Sequence, residues 1–262
     1  MTNSSEESQM VLYRFRHLLG PHREWTKDIL TQSVLYFSSP SEFNDPFDCK
    51  VYYRNRLSVE HLKEYYFSLL RQKFPHLNRE QCKTKVAQDT KRITPEEFIA
   101  KVTEGMQTSA NELGILSLSA TSTNILLWSH YAASHTGICL KFLAESTTPF
   151  FGLAQQVNYK EDYPEVDLLA HSPDDQVQSF LLTKAIDWAY EEEWRIIGHN
   201  KGSGPKFFPE EFLLEVIFGA RMKQEDKEEV LSWLSKRNKP VQVSQASLSP
   251  GSFSLKIEPY RP

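Results

Sequence analysis

The sequence predicts an α+β domain: a mixed, mostly antiparallel sheet, whole or split, with flanking helices and a helical insertion at about 58–112. Three observations lead there. Short apolar runs of period two recur in both halves of the chain. Stretches with helical spacing and recognisable caps lie between them. A chain of 262 residues that is 40% hydrophobic and 24% charged is long enough for one generous core or two modest ones. Aromatic residues reach 12%, and rings in that number need either buried area or a ligand to stack on.

The elements follow in order. Residues 1–10 are polar and acidic and are expected to be disordered, leaving 11–262 as a single domain. Val11, Tyr13 and Phe15 alternate with Leu12, Arg14 and Arg16, a strand that sends two arginines to one face. A short helix over 24–32 precedes a strand over 34–38, which runs into a loop ending Asn44-Asp45-Pro46 that cannot continue regular structure. Ser58 opens the helical insertion, and Thr94-Pro95-Glu96-Glu97 supplies a capping box with proline at the first position. Strands are expected at 115–119, 138–142, 157–159, 194–197 and 216–218. Helices are expected at about 124–134, about 175–192 and 224–236, and a terminal hairpin at 241–246 and 253–257 turns about Pro250-Gly251. Gly137 stands between a helix and a strand, where a left-handed stop is useful, and Gly219 suits a turn or a close backbone approach.

Several function classes lose weight at this level. A formal charge of −4 and a pI of about 6.1 give no global positive field for nucleic acid or anionic lipid. The basic run Lys83, Lys85, Lys91 and Arg92 is broken by Asp89 and reads as a solvated helix face. Cys49, Cys82 and Cys139 are odd in number and widely spaced, which fits reduced thiols. With neither a secretion signal nor a membrane-length apolar stretch, the expected location is cytoplasmic, with no membrane partner. No P-loop, dinucleotide glycine fingerprint, nucleophile elbow or H-E-x-x-H motif occurs. His17, His22 and His61 lack a carboxylate at ligand spacing and are assigned to the surface.

Three clusters combine polar residues with aromatics. The first joins Tyr13-Arg14-Phe15-Arg16 to Phe43-Asn44-Asp45-Pro46-Phe47-Asp48. In it a strand arginine either fixes a phosphate or carboxylate by two parallel bonds or pairs with Asp45 or Asp48 to hold the loop. The second is Leu127-Trp128-Ser129-His130-Tyr131, in which Trp128 and Tyr131 share a helix face and His130 lies beside them. His130 reads as a proton shuttle, a ribose or phosphate contact, or a core histidine. The third is Lys184, Trp188 and Tyr190-Glu191-Glu192-Glu193-Trp194-Arg195. Three consecutive carboxylates are costly to bury unless paired, so at least one is expected to face a site or an internal arginine, with Glu192 the best candidate for solvent. If a strand begins at Glu193, Glu193 and Arg195 share one face while Trp194 and Ile196 enter the core.

Together these residues resemble a known family. Tyr13-Arg14-Phe15, Phe43-Asn44-Asp45-Pro46-Phe47-Asp48, Trp128-Ser129-His130-Tyr131-Ala132, Gly137-Ile138-Cys139-Leu140 and Tyr190-Glu191-x-Glu193-Trp194-Arg195 are similar to the bacterial family known as domain of unknown function 2971. The likeness spans about Leu12 to Arg221. The order of strand arginine, second-strand serine or tyrosine, and late glutamate also resembles the ADP-ribosyltransferase superfamily. That resemblance implies NAD as cofactor, with Arg14 holding it, Ser38 or Tyr36 at the nicotinamide ribose, and Glu193 or Glu191 steering the ribose hydroxyl or the acceptor.

The functional expectation is an NAD-using transferase or NAD-cleaving enzyme that takes a small-molecule nucleotide, with Glu193, Glu191 and His130 as catalytic candidates. Arg14, Tyr36, Ser38, Asn44, Asp45, Trp128, Tyr131 and Arg195 are the candidates for binding the cofactor, and no metal is expected. Two other readings compete. One is a metal-dependent nuclease or phosphohydrolase using Asp45, Asp48, Glu191, Glu193 and His130. The other is a ligand-sensing or partner-binding module in bacterial stress or phage defence.

Overall fold

In the computed structural model, residues 9–53, 58–166, 171–198 and 202–261 are described. The elements run β1 (Val11–Arg16), α1 (His22–Gln32), β2 (Val34–Phe37), α2 (Val59–Lys73), α3 (Arg79–Asp89), α4 (Pro95–Asn111), β3 (Gly114–Ser119), α5 (Ile125–Tyr131) and β4 (Ile138–Leu143). They continue with β5 (Gln155–Gln156), β6 (Asn158–Lys160), α6 (Pro173–Leu181), β7 (Thr183–Ala185), β8 (Glu193–Gly198), β9 (Gly204–Phe207), β10 (Leu213–Phe218), α7 (Gln224–Leu234), β11 (Gln242–Leu248) and β12 (Leu255–Pro259). This is an α+β fold. Most of the expected 1–10 tail lies outside the described residues.

Backbone contacts divide the chain into two units. The first takes the chain through Glu42, Leu113–Val157 and the chain from Asp187 onward; the second takes Phe43–Glu112 and Asn158–Ile186.

The first unit is built on an eight-stranded sheet in the order β12-β11-β10-β4-β1-β3-β8-β5. Its pairings are antiparallel except β10 with β11, which run parallel because α7 carries the chain across between them. Alternation along the strands sends two sets of side chains to opposite faces. Leu12, Leu116, Leu118, Leu140, Phe142, Ile196 and Val216 enter the larger core with Ile29 and Leu30 of α1 and Val230 and Trp233 of α7. Phe15, Cys139 and Ile217 enter a smaller core roofed by Leu127 and Trp128 of α5. Strand β2 pairs with β9 in a separate two-stranded sheet, and touches the main sheet through the bridge between Ser38 and Ile115.

Both singled-out glycines are needed for close approach. A Cβ on Gly137 would stand 2.2 Å from the Arg16 carbonyl oxygen, and one on Gly219 would stand 2.2 Å from that of His135. The left-handed stop expected at Gly137 falls instead on Ala133, Ser134 and His135, with φ of 45°, 55° and 68°.

The second unit contains the helical insertion. Capping boxes at Asn78/Gln81 and Thr94/Glu97 start α3 and α4, and Ser58 caps α2. The long helix expected over 175–192 does not form. Helix α6 stops at Leu181, whose successor Leu182 accepts the Asn158 N–H at 2.7 Å, and Thr183–Ala185 then pairs in parallel with β6. Strand pairing thus overrides a helical spacing. All three cysteines are buried, Cys49 and Cys82 in the second unit and Cys139 in the centre of the main sheet.

Candidate functional site

Strand register in the first unit aligns polar residues that are scattered in sequence. Glu215 of β10 is opposite Lys141 of β4, Lys141 opposite Tyr13 of β1, Tyr13 opposite Ser119 of β3, and Ser119 opposite Glu193 of β8. Directly opposed residues share a face, so these five form one row across the sheet on the side that α5 covers. Glu215 and Lys141 form an ion pair at 3.4 Å.

The row ends in the most deeply buried charges of the unit. Trp194 and Ile196 face the larger core, so Glu193 and Arg195 emerge together on the opposite side. Arg195, at 0% exposure, gives its Nε–H to Glu193 Oε1 at 2.8 Å and an Nη2–H to Oε2 at 2.9 Å. This two-pronged geometry, available to residues two apart on a strand, offsets much of the cost of desolvating both charges. Glu192 has φ of 45° and is exposed, a left-handed step that sends it to solvent while Glu191 and Glu193 on either side remain buried.

Glu191 is held from two directions. Its Oε1 accepts the Tyr131 hydroxyl at 2.7 Å and its carbonyl accepts the Ser119 hydroxyl at 2.7 Å. Asn124 ties α5 to the same turn: its Oδ1 caps the Leu126 and Leu127 N–H groups, and its Nδ2 donates to the Tyr190 carbonyl at 3.0 Å. Burial raises the Tyr131 phenol far above its ordinary value, and the Glu191 charge adds to this, so Tyr131 remains a neutral donor.

The sequence candidates separate accordingly. Tyr131, Glu191, Glu193 and Arg195 come together, with Ser119 and Asn124 as members that residue spacing did not reveal; the N-cap position of Asn124 was the one available signal. His130 is exposed, its ring edge-on to Tyr131 at 6.3 Å. Trp128 is a core residue with 0% exposure, its indole N–H given to the Ser122 carbonyl at 2.7 Å. Arg14 points to the larger-core face and donates to the Ser117 carbonyl at 2.6 Å, where β1 and β3 register at Tyr13–Ser119 alone. Burial and nearby Arg16 bring it down to about 9, Glu193 opposing, so it stays cationic at neutral pH. Tyr36 is exposed, with its hydroxyl 3.4 Å from Glu42, and Ser38 is half-buried with its backbone bridged to Ile115.

Asn44 and Asp45 belong to the second unit. Asn44 is exposed, and Asp45 accepts the Phe47 N–H at 2.9 Å in a tight turn. In the same unit buried Asp48 lies 3.7 Å from Lys184. Among the described residues no three His, Cys, Asp or Glu side chains gather as a metal-ligand set, and no helix is long and apolar enough to cross a membrane.

No curated protein and no solved structure matches the chain. Residues 127–196 match the family model described as protein of unknown function (DUF2971). The matched stretch begins on α5 and ends on β8, so the Tyr131–Glu191 hydrogen bond joins its two ends. Over residues 127–196, the segment that carries both buried glutamates, this chain is similar to the DUF2971 family.

Proposed function

We propose that this chain is an NAD-using transferase or NAD-cleaving enzyme whose reacting ribose meets Glu191 and Glu193. The observation that carries the reading is the pair of buried carboxylates on one sheet face, each anchored by a positioned donor, Tyr131 or the Arg195 fork. Breaking a ribose–nicotinamide bond develops positive charge on the sugar, and fixed carboxylates in a dry setting stabilise that charge more than mobile ones in water. Nicotinamide leaves with the bonding electron pair, and water or an acceptor hydroxyl takes its place on the sugar carbon. Trp188 and Tyr190, half-buried with ring centroids 6.0 Å apart, supply flat surfaces of the kind a nicotinamide stacks on.

Calorimetry with NAD followed by chromatography of the products tests this. Binding with release of nicotinamide is the expected result, and Glu191→Gln is expected to slow the release by about 10²–10³-fold while folding normally. A folded wild-type protein that neither binds NAD nor releases nicotinamide ends the proposal. Binding without release would leave the non-catalytic, ligand-sensing reading instead.

A further inference from the structure

The opposite face of the sheet carries a second group of cations. Arg16, the last residue of β1, lies on the Leu12 side, and α1 brings His22 back beside it. Buried Thr26 fastens α1 to the end of the strand by donating its hydroxyl to the His17 carbonyl at 3.2 Å. The His17 and His22 rings stand 4.0 Å apart, and Trp25 closes on His22 at 4.6 Å. The Leu19 N–H donates to His17 Nδ1 at 3.3 Å, which leaves the neutral ring with its proton on Nε2. Both histidines are half-buried rather than on the surface, where the absence of a neighbouring carboxylate in sequence had put them; His61 is exposed as expected.

What this corner lacks is negative charge. Among the described residues no carboxylate lies within ion-pair distance of Arg16, and the two that α7 turns toward α1, Asp226 and Glu229, both bind Arg23. Arg14, one pleat back on the same face, adds a second positive charge. Burial draws the Arg16 guanidinium down to about 10, and burial together with Arg16 lowers His17 and His22. Two nitrogens here, Arg16 Nε and His22 Nδ1, are buried without any hydrogen-bond partner. Buried donors are almost always satisfied, and an uncompensated cation beside an idle donor suits an acceptor that carries charge.

The geometry points to an oxyanion site at the β1–α1 corner that takes the phosphate group of a small molecule, with Arg16 Nε–H, His22 Nδ1–H and His17 Nε2–H as donors. A phosphate offers several acceptor oxygens and the missing charge at once, and guanidinium nitrogens suit it better than a point-charge ammonium. The site lies on the face away from Glu191 and Glu193 and does not rest on NAD chemistry.

Titration calorimetry of the whole chain, at fixed ionic strength and without NAD, decides the matter. Inorganic phosphate is one probe and ribose 5-phosphate the other. Wild type is expected to bind at least one of them, which tells a free-anion site from one for a phosphorylated sugar. Arg16→Gln and His22→Ala, each checked for native folding by circular dichroism, are each expected to weaken binding by at least tenfold. Lys256→Gln, which removes an exposed charge on the edge strand β12, is expected to leave it unchanged. No binding of either probe to wild type, or undiminished binding by folded Arg16→Gln, overturns the assignment.

Discussion

The two faces of the main sheet bury charge in contrasting ways. On the α5 side, Arg195 and Glu193 are among the most enclosed residues of the chain and satisfy one another, while Glu191 is held by Tyr131. On the α1 side, Arg16 is less enclosed but has no carboxylate partner among the described residues, and it shares the corner with an idle histidine nitrogen. The first arrangement satisfies its charges with the protein's own groups. The second leaves Arg16 Nε and His22 Nδ1 without a partner among the described residues. Burial by itself therefore does not decide whether a charge still needs a partner; the balance of donors, acceptors and charge does.

That contrast can be broken by substitution, beginning with the largest effect. Arg195→Met removes both prongs from a buried carboxylate and is expected to cost about 3–5 kcal/mol in urea unfolding. Adding Glu193→Gln is expected to return part of it, and strict additivity of the two would show that the fork is not a coupled unit. Tyr131→Phe takes one donor from Glu191, an expected loss of about 1–3 kcal/mol by the same measurement.

Arg16→Met is expected to move the other way, raising the stability of the phosphate-free protein by about 1 kcal/mol, because it deletes a desolvated cation that has no partner. A clear loss would place Arg16 with Arg195 and erase the distinction between the faces. The smallest effect is with pH. His17, His22 and His135 are all held below the ordinary value of 6.5, mainly by burial, so the unfolded chain binds more protons in the window below it. Their contribution is present in full above that value and is lost as pH falls through it toward the folded values. Urea midpoints should drop between about pH 7.5 and about pH 5.5, and His22→Gln should shrink the drop.

Much of this organisation could be read from residue patterns, and the exceptions have physical causes. Period-two runs located β1, β3, β4, β8 and β10 closely, and the capping boxes located the helical insertion, because both signals are local. The Glu191–Glu193 run was legible as well: carboxylates between aromatics must be paired or released, and the structure pairs two and releases Glu192. Strand β9 escaped notice because Gly204-Pro205 disguises it and its partner β2 lies far away in sequence. The polar row escaped notice because it takes one residue from each of five strands, a register that local spacing does not encode. His22 was passed over for a related reason. Its importance comes from what is missing around it, and an absence has no motif.

The three buried thiols have a practical consequence. Cys139 is flanked by Phe15 and Ile217, and burial pushes it well above the ordinary thiol value, which leaves it unreactive while the sheet is closed. Cys49 and Cys82, also buried, lie in the other unit and report on it by their accessibility. Alkylation of the unmodified protein, read site by site by mass spectrometry, would time the opening of each unit separately with probes the chain already contains. Loss or gain of a bound anion at the β1–α1 corner would then register as a change in the Cys139 rate.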